Sequence, residues 1–309
     1  MGQAILLAAL LAGGCPQQQA VLEQAARAIE GGYVTRQEAE QVAQSVRDWS
    51  KTGRYAETCG DWPAFVERLN RDLDAYDGHF HVERLVEGKA GSDDEWLMAW
   101  RASGTPNNMG VREVRVFEGN VGYLRLASFY PWDMARSKIR NALALLADTE
   151  GLVLDLRQNG GGDAQTAGQL VRAFLGDEVV AVQHIESRSG GRPDPLPARD
   201  VPAYRGRVVV LIDRRSASAS EFVAYTLQAA DRAVVVGSRS AGAATMLGDP
   251  VPLPHAFQLF IPDAQPVSAD TGGNWGRSGV IPDVAGGDDP IHIARRVISG
   301  DVEIAGSAK

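Results

Sequence analysis

Three nearly unbroken runs of Val, Leu and Ile, separated by segments with helical periodicity, constrain the fold most strongly. The runs cover Leu152–Leu156, Val208–Ile212 and Ala233–Val236. Strands that are apolar on both faces are typical of parallel sheets with helices packed on both sides. The sequence therefore predicts an α/β fold for this part of the chain.

The N-terminal part has helical periodicity instead. Apolar residues recur at helical spacing in three segments between residue 20 and about residue 75. Thr35 begins the second of these, with Glu38 three residues later as a capping box. We expect a helical domain over residues 20–82 and an α/β core over residues 83–309.

A period of two follows the helical segments. Apolar residues that alternate after Phe80, among them Trp96, Met98 and Trp100, predict short strands. Further on, residues 187–202 are rich in Ser, Gly, Arg and Pro and predict a mobile loop.

Composition and charge exclude several classes of protein. Apolar residues make up 44% and charged residues 23% of the 309 residues, which excludes a disordered chain. The net charge is -8 and the basic residues form no run, so we expect no nucleic-acid partner. Two cysteines, Cys15 and Cys59, are too few for a disulfide framework or a four-cysteine zinc site. We expect neither a metal nor a cofactor.

The first residues have the pattern of an export signal. The apolar run at residues 4–12 is shorter than the roughly 20 residues that span a bilayer, and it fits the core of a secretory signal. Two glycines precede Cys15, as at a bacterial lipoprotein cleavage site. We expect residues 1–19 to be a signal, and the protein to be periplasmic or anchored to the cell envelope through a lipid on Cys15. A short N-terminal helix is the alternative. Processing would leave Cys59 as an interior thiol, so we expect no disulfide.

Two segments that follow apolar runs carry residues typical of acyl-transfer chemistry. The glycines at 160–162 let backbone N–H groups converge on an oxyanion or a phosphate, although a tight turn needs the same residues. Ser216, Ser218 and Ser220 open a predicted helix, where a serine is either an exposed nucleophile or an N-cap. Spacing alone does not distinguish these roles.

Two histidines lie where the helical part meets the first predicted strand. His79 and His81 fall on one face of an extended segment, and either of them has the side chain of a general base. A solvated or structural histidine is the alternative for both. The spacing does not choose between them.

Together these segments resemble the tail-specific, or C-terminal processing, serine peptidases and their tricorn-core and retinoid-binding relatives. The resemblance rests on Leu154–Gly162, Ser216–Glu221 with Asp231–Gly237, and Gly279–Asp283, and covers about residues 60–295. It implies an α/β core with a crotonase-like spiral arrangement and cleavage of peptide bonds near protein C-termini. No PDZ domain is expected, because the segment between Val82 and Val121 is too short for one.

The resemblance also implies roles for individual residues. Ser218 is the expected nucleophile, His79 the expected general base, and Gly161 with Ala219 the expected oxyanion hole. Processing proteases have a Lys as base about 25 residues after the nucleophile, but Ala243 stands there. The tricorn-like branch instead uses a His together with a Glu just before the Gly-Val-x-Pro-Asp motif.

That Glu is replaced by Gly276, which removes the expected orienting acid from the histidine. Asp77, Asp249 and Asp270 are candidates to replace it. The sequence does not place any of them beside His79.

Two functions remain as hypotheses. The first is a serine endopeptidase acting on peptide or protein substrates, which it would select with the core cleft and residues 187–202. The second is a non-catalytic module that binds an apolar ligand or a peptide on the same scaffold. Retention of Ser218, the glycines and His79 favours the enzyme, whereas the missing Glu favours the binding module. Acyl-CoA chemistry on a crotonase-like core is a third interpretation that leaves the serine motif unexplained.

Overall fold

The apolar runs form the centre of a six-stranded sheet in a computed structural model that describes residues 15–85 and 92–302. The strands of the sheet are β2 (Val111–Phe117), β3 (Val121–Leu126), β4 (Gly151–Asp155), β7 (Arg207–Ile212), β8 (Ala233–Gly237) and β13 (Val284–Ala285). They lie in the order β13-β8-β7-β4-β3-β2. All neighbouring strands are parallel except β2 and β3, which form an antiparallel hairpin. This confirms the predicted mixed α/β core.

Helices cover both faces of this sheet. Leu152, Leu154 and Val210 point to one face, where they belong to the largest apolar core. Val153 and Val209 point to the other, where they pack with residues of the last helix. The helices of this part of the chain are α4 (Ser92–Gly104), α5 (Trp132–Leu145), α6 (Ala164–Leu175), α7 (Ala219–Ala229) and α8 (Pro290–Ser299). Burial on both faces explains why the strands are almost wholly apolar.

The helical N-terminal region is also present. Its helices are α1 (Pro16–Gly32), α2 (Arg36–Lys51) and α3 (Trp62–Asp74). Their apolar faces pack with strands from much later in the chain, in one core that includes Leu22, Phe65 and Phe257. Thr35 precedes α2, but its hydroxyl donates to the Glu38 carboxylate and does not cap the helix backbone.

The chain divides into two compact units. The first unit contains the described residues up to 85 together with Ile185–Arg192 and Thr245–Pro266, and the second contains the remaining described residues. This division differs from the boundary expected at residue 82, because two later segments join the helical region. Helix α1 also begins inside the segment expected to be a signal, while residues 1–14 lie outside the described residues.

Two smaller sheets complete the fold. One is antiparallel, belongs to the first unit and has the order β1-β11-β10, formed by β1 (His81–Arg84), β10 (Val251–Leu253) and β11 (Phe257–Phe260). The other consists of β5 (Ala181–Ser187), β6 (Gly190–Pro195), β9 (Met246–Leu247) and β12 (Pro262–Ser268). Its strand order is β6-β5-β12-β9.

Two local predictions were wrong. Trp96, Met98 and Trp100 lie in helix α4 rather than in strands. The Leu, Ala and Arg residues around them favour a helix more than the alternation favours a strand. Residues 190–195, expected in a loop, form strand β6, which follows β5 through a short turn.

A disulfide joins Cys15 to Cys59, with their Cα atoms 5.6 Å apart. It corrects the expectation of a fold without disulfides. It fastens the residue before α1 to the chain just before α3, where Gln18 also donates to the carbonyl of Thr58 at 2.7 Å. The Cys15 sulfur cannot form this bond and carry a thioether-linked lipid at the same time.

Candidate active site

Three alternating serines follow strand β7, and they have different surroundings. The hydroxyl of Ser216 donates to the carbonyl of Leu156 at 2.8 Å, and that of Ser220 donates to the carbonyl of Asn159 at 2.8 Å. Both of these serines are fully buried, whereas Ser218 between them is exposed. The outer two therefore fasten this segment to the loop after β4 and leave Ser218 presented to solvent.

The backbone of Ser218 is strained. Its φ is 52° and its ψ is -117°, immediately before helix α7 begins. A residue other than glycine in this region costs on the order of 1–3 kcal/mol, which the surrounding structure must offset. Such a turn between a strand and a helix is how a nucleophilic serine is held in the open.

Glu221 holds this turn, a role that the sequence motifs did not indicate. Its carboxylate is completely buried and accepts the N–H of Ser218 at 2.8 Å. It also accepts the Ser240 hydroxyl and the Gly242 N–H, each at 2.6 Å, and the Ala243 N–H at 2.8 Å. The spacing Ser-x-x-Glu is a capping-box signal that could have identified it.

The glycines after β4 lie against the serine turn. A Cβ atom on Gly161 would come within 2.9 Å of the Ser218 Cβ and 3.0 Å of the Ala219 nitrogen, and Gly161 has a φ of +101°. Only glycine fits such a position. Within the second unit, the structure thus brings together Ser218, Gly161 and Ala219.

The backbone N–H groups of Ala219 and Gly161, the two expected oxyanion donors, differ in their hydrogen bonding. Ala219 is the first residue of α7, so its N–H has no acceptor within the helix. The N–H of Gly161 donates to Oδ1 of Asn159 at 2.9 Å. Asn159 is itself buried and donates to the Leu126 carbonyl at 3.0 Å. An oxyanion would have to share the Gly161 donor with this amide or displace it.

His79 lies in the first unit, and a carboxylate orients it. Its Nδ1 is 2.9 Å from Oδ1 of Asp77 and 2.8 Å from the hydroxyl oxygen of Thr245. That hydroxyl donates its only proton to Oδ2 of Asp77 at 2.9 Å. Both neighbours of Nδ1 are then acceptors, which assigns a proton to Nδ1 and leaves the lone pair of the neutral ring on Nε2.

Asp77 is held in its ionised form. Burial alone would raise its pKa, but hydrogen bonds from the His79 ring, the His79 backbone N–H and the Thr245 hydroxyl together lower the pKa below its usual value. The backbone N–H of His79 donates at 2.9 Å and the Tyr33 hydroxyl at 3.1 Å. This is the environment of an acid that orients a histidine and stabilises its charged form.

The structure also separates the candidates that sequence spacing left equal. His81 has a half-exposed side chain, and the nearest carboxylate oxygen, on Glu83, is 3.7 Å from its Nε2. Of the three aspartates considered, Asp77 makes the contact with His79. Gly276 belongs to the second unit, where its N–H donates to Asn274.

The described residues provide neither a metal site nor a membrane span. Within residues 15–85 and 92–302, no group of three or more His, Cys, Asp or Glu side chains is placed to hold a metal ion. No helix in those ranges is both long and apolar enough to cross a bilayer.

Comparison with known proteins identifies the family. Residues 120–285, more than half of the chain, match the family model described as peptidase family S41. The chain therefore belongs to peptidase family S41. The match includes Gly161, Ser218 and Glu221, while Asp77 and His79 lie before it.

Curated relatives are processing proteases. The chain is 32% identical over 166 residues to carboxyl-terminal-processing peptidase 1 of the Arabidopsis thaliana chloroplast, a match that covers 53% of this chain and 33% of the relative. It is 32% identical over 130 residues to the tail-specific protease of Haemophilus influenzae, covering 41% of this chain and 18% of the relative. The chain thus spans a third or less of the length of these relatives.

Solved structures share the fold. A lipoprotein from Streptococcus agalactiae has a TM-score of 0.62 and 13% identity, and the match covers 93% of this chain and 98% of that one. A photosystem II D1 C-terminal processing protease has a TM-score of 0.53 and 19% identity, with 88% and 93% covered. At these identities the likeness concerns the fold alone.

Proposed function

We propose that this protein is a serine endopeptidase in which Ser218 is the nucleophile, His79 the general base and Asp77 the acid that orients it. The observation that carries the proposal is the hydrogen bond between Asp77 and Nδ1 of His79, which leaves Nε2 free to accept a proton. In the second unit, Ser218 of this family S41 chain is exposed and strained, and its hydroxyl is the proposed source of that proton.

The proposed reaction follows acyl-enzyme chemistry. Nε2 of His79 takes the proton of the Ser218 hydroxyl as its oxygen attacks the peptide carbonyl, and Asp77 stabilises the imidazolium that results. The N–H groups of Ala219 and Gly161 receive the negative charge on the carbonyl oxygen. The imidazolium then protonates the leaving amine, and water, activated in the same way, hydrolyses the ester on Ser218.

We further propose that the substrates are peptides or unfolded proteins cut near their C-termini, as the names of the relatives suggest for those proteins. The alternative of a non-catalytic binding module is less favoured. It depended on the loss of the orienting acid, and Asp77 makes the contact with His79 that this acid would make.

Export from the cytoplasm is the proposed localisation, since disulfides persist in oxidising compartments. Lipid anchoring through Cys15 is the alternative. The lipid and the disulfide exclude each other, since both need the sulfur of Cys15. Intact mass measurement of the protein purified from its native envelope distinguishes the two: a lipid on Cys15 would add mass, whereas the disulfide removes two hydrogens.

A fluorophosphonate probe tests the proposed function. Wild type should be labelled at Ser218, as found by peptide mapping, and Ser218→Ala and His79→Ala should not be. Ser189→Ala, a change of an exposed serine in a turn between two strands, is the matched control and should be labelled normally. Labelling that persists in a folded Ser218→Ala variant would exclude Ser218 as the nucleophile.

A further inference from the structure

A cavity lies at the end of the central sheet opposite the candidate active site. Val121, Glu150 and Arg207, which line it, are at or next to the first residues of β3, β4 and β7. Ser218 and Gly161 follow the last residues of β7 and β4 instead. The first and last residues of neighbouring parallel strands lie at opposite ends of a sheet. The cavity is therefore separate from the candidate active site, and its lining residues all belong to the second unit.

The size of the cavity is that of a small-molecule site. Its volume is about 630 Å³, and ligand pockets in proteins are typically about 300–1,000 Å³. Val121 and Ile298 give it a buried apolar part. Arg207, Arg296 and Glu150, which also line it, are open to solvent. A ligand that enters can therefore meet both an apolar wall and charged groups.

Two of the arginines that line the cavity have backbone partners and no ion pair. Arg207 donates to the carbonyl of Ile298 at 2.8 Å, and Arg296 donates to the carbonyl of Asp301 at 3.0 Å. Among the described residues, neither guanidinium lies within ion-pairing distance of a carboxylate. Most of their N–H donors and their full charges remain available to a ligand.

Arg295 is the third arginine of the cavity. It donates to the backbone carbonyl of Glu118 at 3.3 Å, and its guanidinium carbon lies 5.0 Å from the centre of the Phe117 ring. Its buried Nε has no hydrogen-bond partner. In the part of the chain that the structure describes, it too forms no ion pair. Contact with the Phe117 ring holds the cation in place without neutralising it.

Carboxylates also line the cavity. Glu118 and Glu150 are exposed, and within the described ranges neither side chain has a hydrogen bond or an ion pair. The carboxylate of Asp301 accepts the hydroxyl of Ser299 at 2.5 Å. The cavity thus contains charges of both signs that do not pair with each other.

We propose that this cavity binds a short peptide as a zwitterion, with its α-carboxylate on the arginines and its α-ammonium on the glutamates. A guanidinium binds a carboxylate through paired N–H donors, and an ammonium requires acceptors such as carboxylate oxygens. A simple anion would satisfy the arginines but would be repelled by Glu118 and Glu150, whereas a zwitterion suits both groups. Hydrolysis of a peptide bond releases molecules of this class. The site itself does not depend on the proposed peptidase function.

Isothermal titration calorimetry on the full chain with Ser218→Ala tests the proposal, because this variant cannot consume a peptide through Ser218. The probe is alanyl-leucyl-alanine, compared with its N-acetyl form, which lacks the ammonium, and its C-terminal amide, which lacks the carboxylate. Each modification should weaken binding about tenfold, as expected for the loss of a charge-assisted contact. Inorganic phosphate, which has no cationic group, should bind more weakly than the unmodified peptide.

Two double variants in the same background locate the site. Arg207→Gln with Arg295→Gln should weaken binding of the unmodified peptide about tenfold. Arg36→Gln with Arg192→Gln removes the same charge at exposed positions outside the cavity and should leave binding unchanged. Thermal unfolding of each variant reports whether it folds.

Glu118→Gln with Glu150→Gln should weaken binding of the unmodified peptide and not that of the N-acetyl peptide. This variant loses no side-chain hydrogen bond, so it decides the question if the arginine variant does not fold.

Equal binding of the three peptides would overturn the proposal, as would unchanged binding in both folded cavity variants, which would place the peptide elsewhere. Phosphate that binds as tightly as the unmodified peptide would refute the zwitterion in favour of a simple anion site. If no peptide binds, the site is refuted, while labelling of wild type at Ser218 by the fluorophosphonate still decides the proposed function.

Discussion

The buried carboxylate of Glu221 accepts the backbone N–H of Ser218 at 2.8 Å, and its same oxygen accepts the N–H of Ala243 at 2.8 Å. One carboxylate therefore fixes both the turn that presents the serine and the loop that contains Ala243.

Replacement of Glu221 by Gln tests this role. An amide keeps one acceptor oxygen and places an NH₂ where N–H donors now point, so at least one buried donor should lose its partner. We expect a loss of about 1–3 kcal/mol in the free energy of unfolding and a fall in kcat that exceeds any rise in KM. Urea denaturation and steady-state kinetics measure the two effects. Glu178→Gln, at an exposed glutamate, is the control. If the Glu221→Gln variant has the same kcat as wild type, Glu221 does not position Ser218.

Asp77→Asn should lower kcat by about 10³–10⁴ with little change in KM, because the ring of His79 loses the acceptor that fixes its tautomer and stabilises its charge. Asp270→Asn, at another aspartate considered as the acid, is the matched control. A folded Asp77→Asn variant with full activity would mean that another group orients His79.

The same aspartate should give a pH dependence of stability. The pKa of Asp77 is lowered in the folded protein, so its stabilising contribution is fully present above the unfolded pKa of about 3.9. It is lost as pH falls through the lower, folded pKa. The difference in unfolding free energy between wild type and Asp77→Asn should therefore be constant above about pH 5 and shrink below about pH 4. A difference that grows on acidification would contradict the assignment.

Gly161→Ala should abolish acylation of Ser218. The added methyl group would meet the Ser218 Cβ at 2.9 Å and the Ala217 carbonyl oxygen at 2.8 Å, at a φ of +101°. Gly160→Ala is the matched control, because a Cβ there has nothing within 4 Å. Burst kinetics with an activated ester report the acylation, and circular dichroism reports folding. Equal bursts in the two variants would show that Ser218 does not act beside Gly161.

Removal of the disulfide should destabilise the first unit. Cys15 and Cys59 are separated by 44 residues, and closing a loop of this length in the unfolded chain is worth about 4 kcal/mol in the chain-entropy description. The variant with both cysteines changed to serine should therefore melt earlier than wild type under oxidising conditions. Under reducing conditions the two should melt together, and an equal Tm in both conditions would argue against the bond.

Sequence patterns predicted the sheet because its strands are buried on both faces, which leaves an almost unbroken apolar run. They failed at helix α4, where the alternation of Trp96, Met98 and Trp100 fits a strand as well as a helix. They also missed the pairing of Cys15 with Cys59, since 44 residues of chain must fold before the two sulfurs meet.

For the candidate site, the motifs pointed to Ser218, Gly161 and Ala219, and the fold brings these three residues together because they follow the neighbouring strands β4 and β7. Which aspartate contacts His79 could not be chosen from the sequence. Asp77 makes its contact through a turn two residues before His79, and Thr245, which completes it, lies 166 residues away in the chain.

The two-residue spacing of Ser216, Ser218 and Ser220 has a consequence for how this segment can change over evolutionary time. The outer hydroxyls are tied to fixed carbonyls of the neighbouring loop, so the segment has a defined length as well as a defined composition. Point mutations at the exposed middle position would remove the reactive group and leave the frame intact, whereas insertion or deletion of one residue would put an anchoring serine out of register. The anchored segment can therefore persist after the activity is lost. A descendant without the hydroxyl of residue 218 would keep the architecture around it.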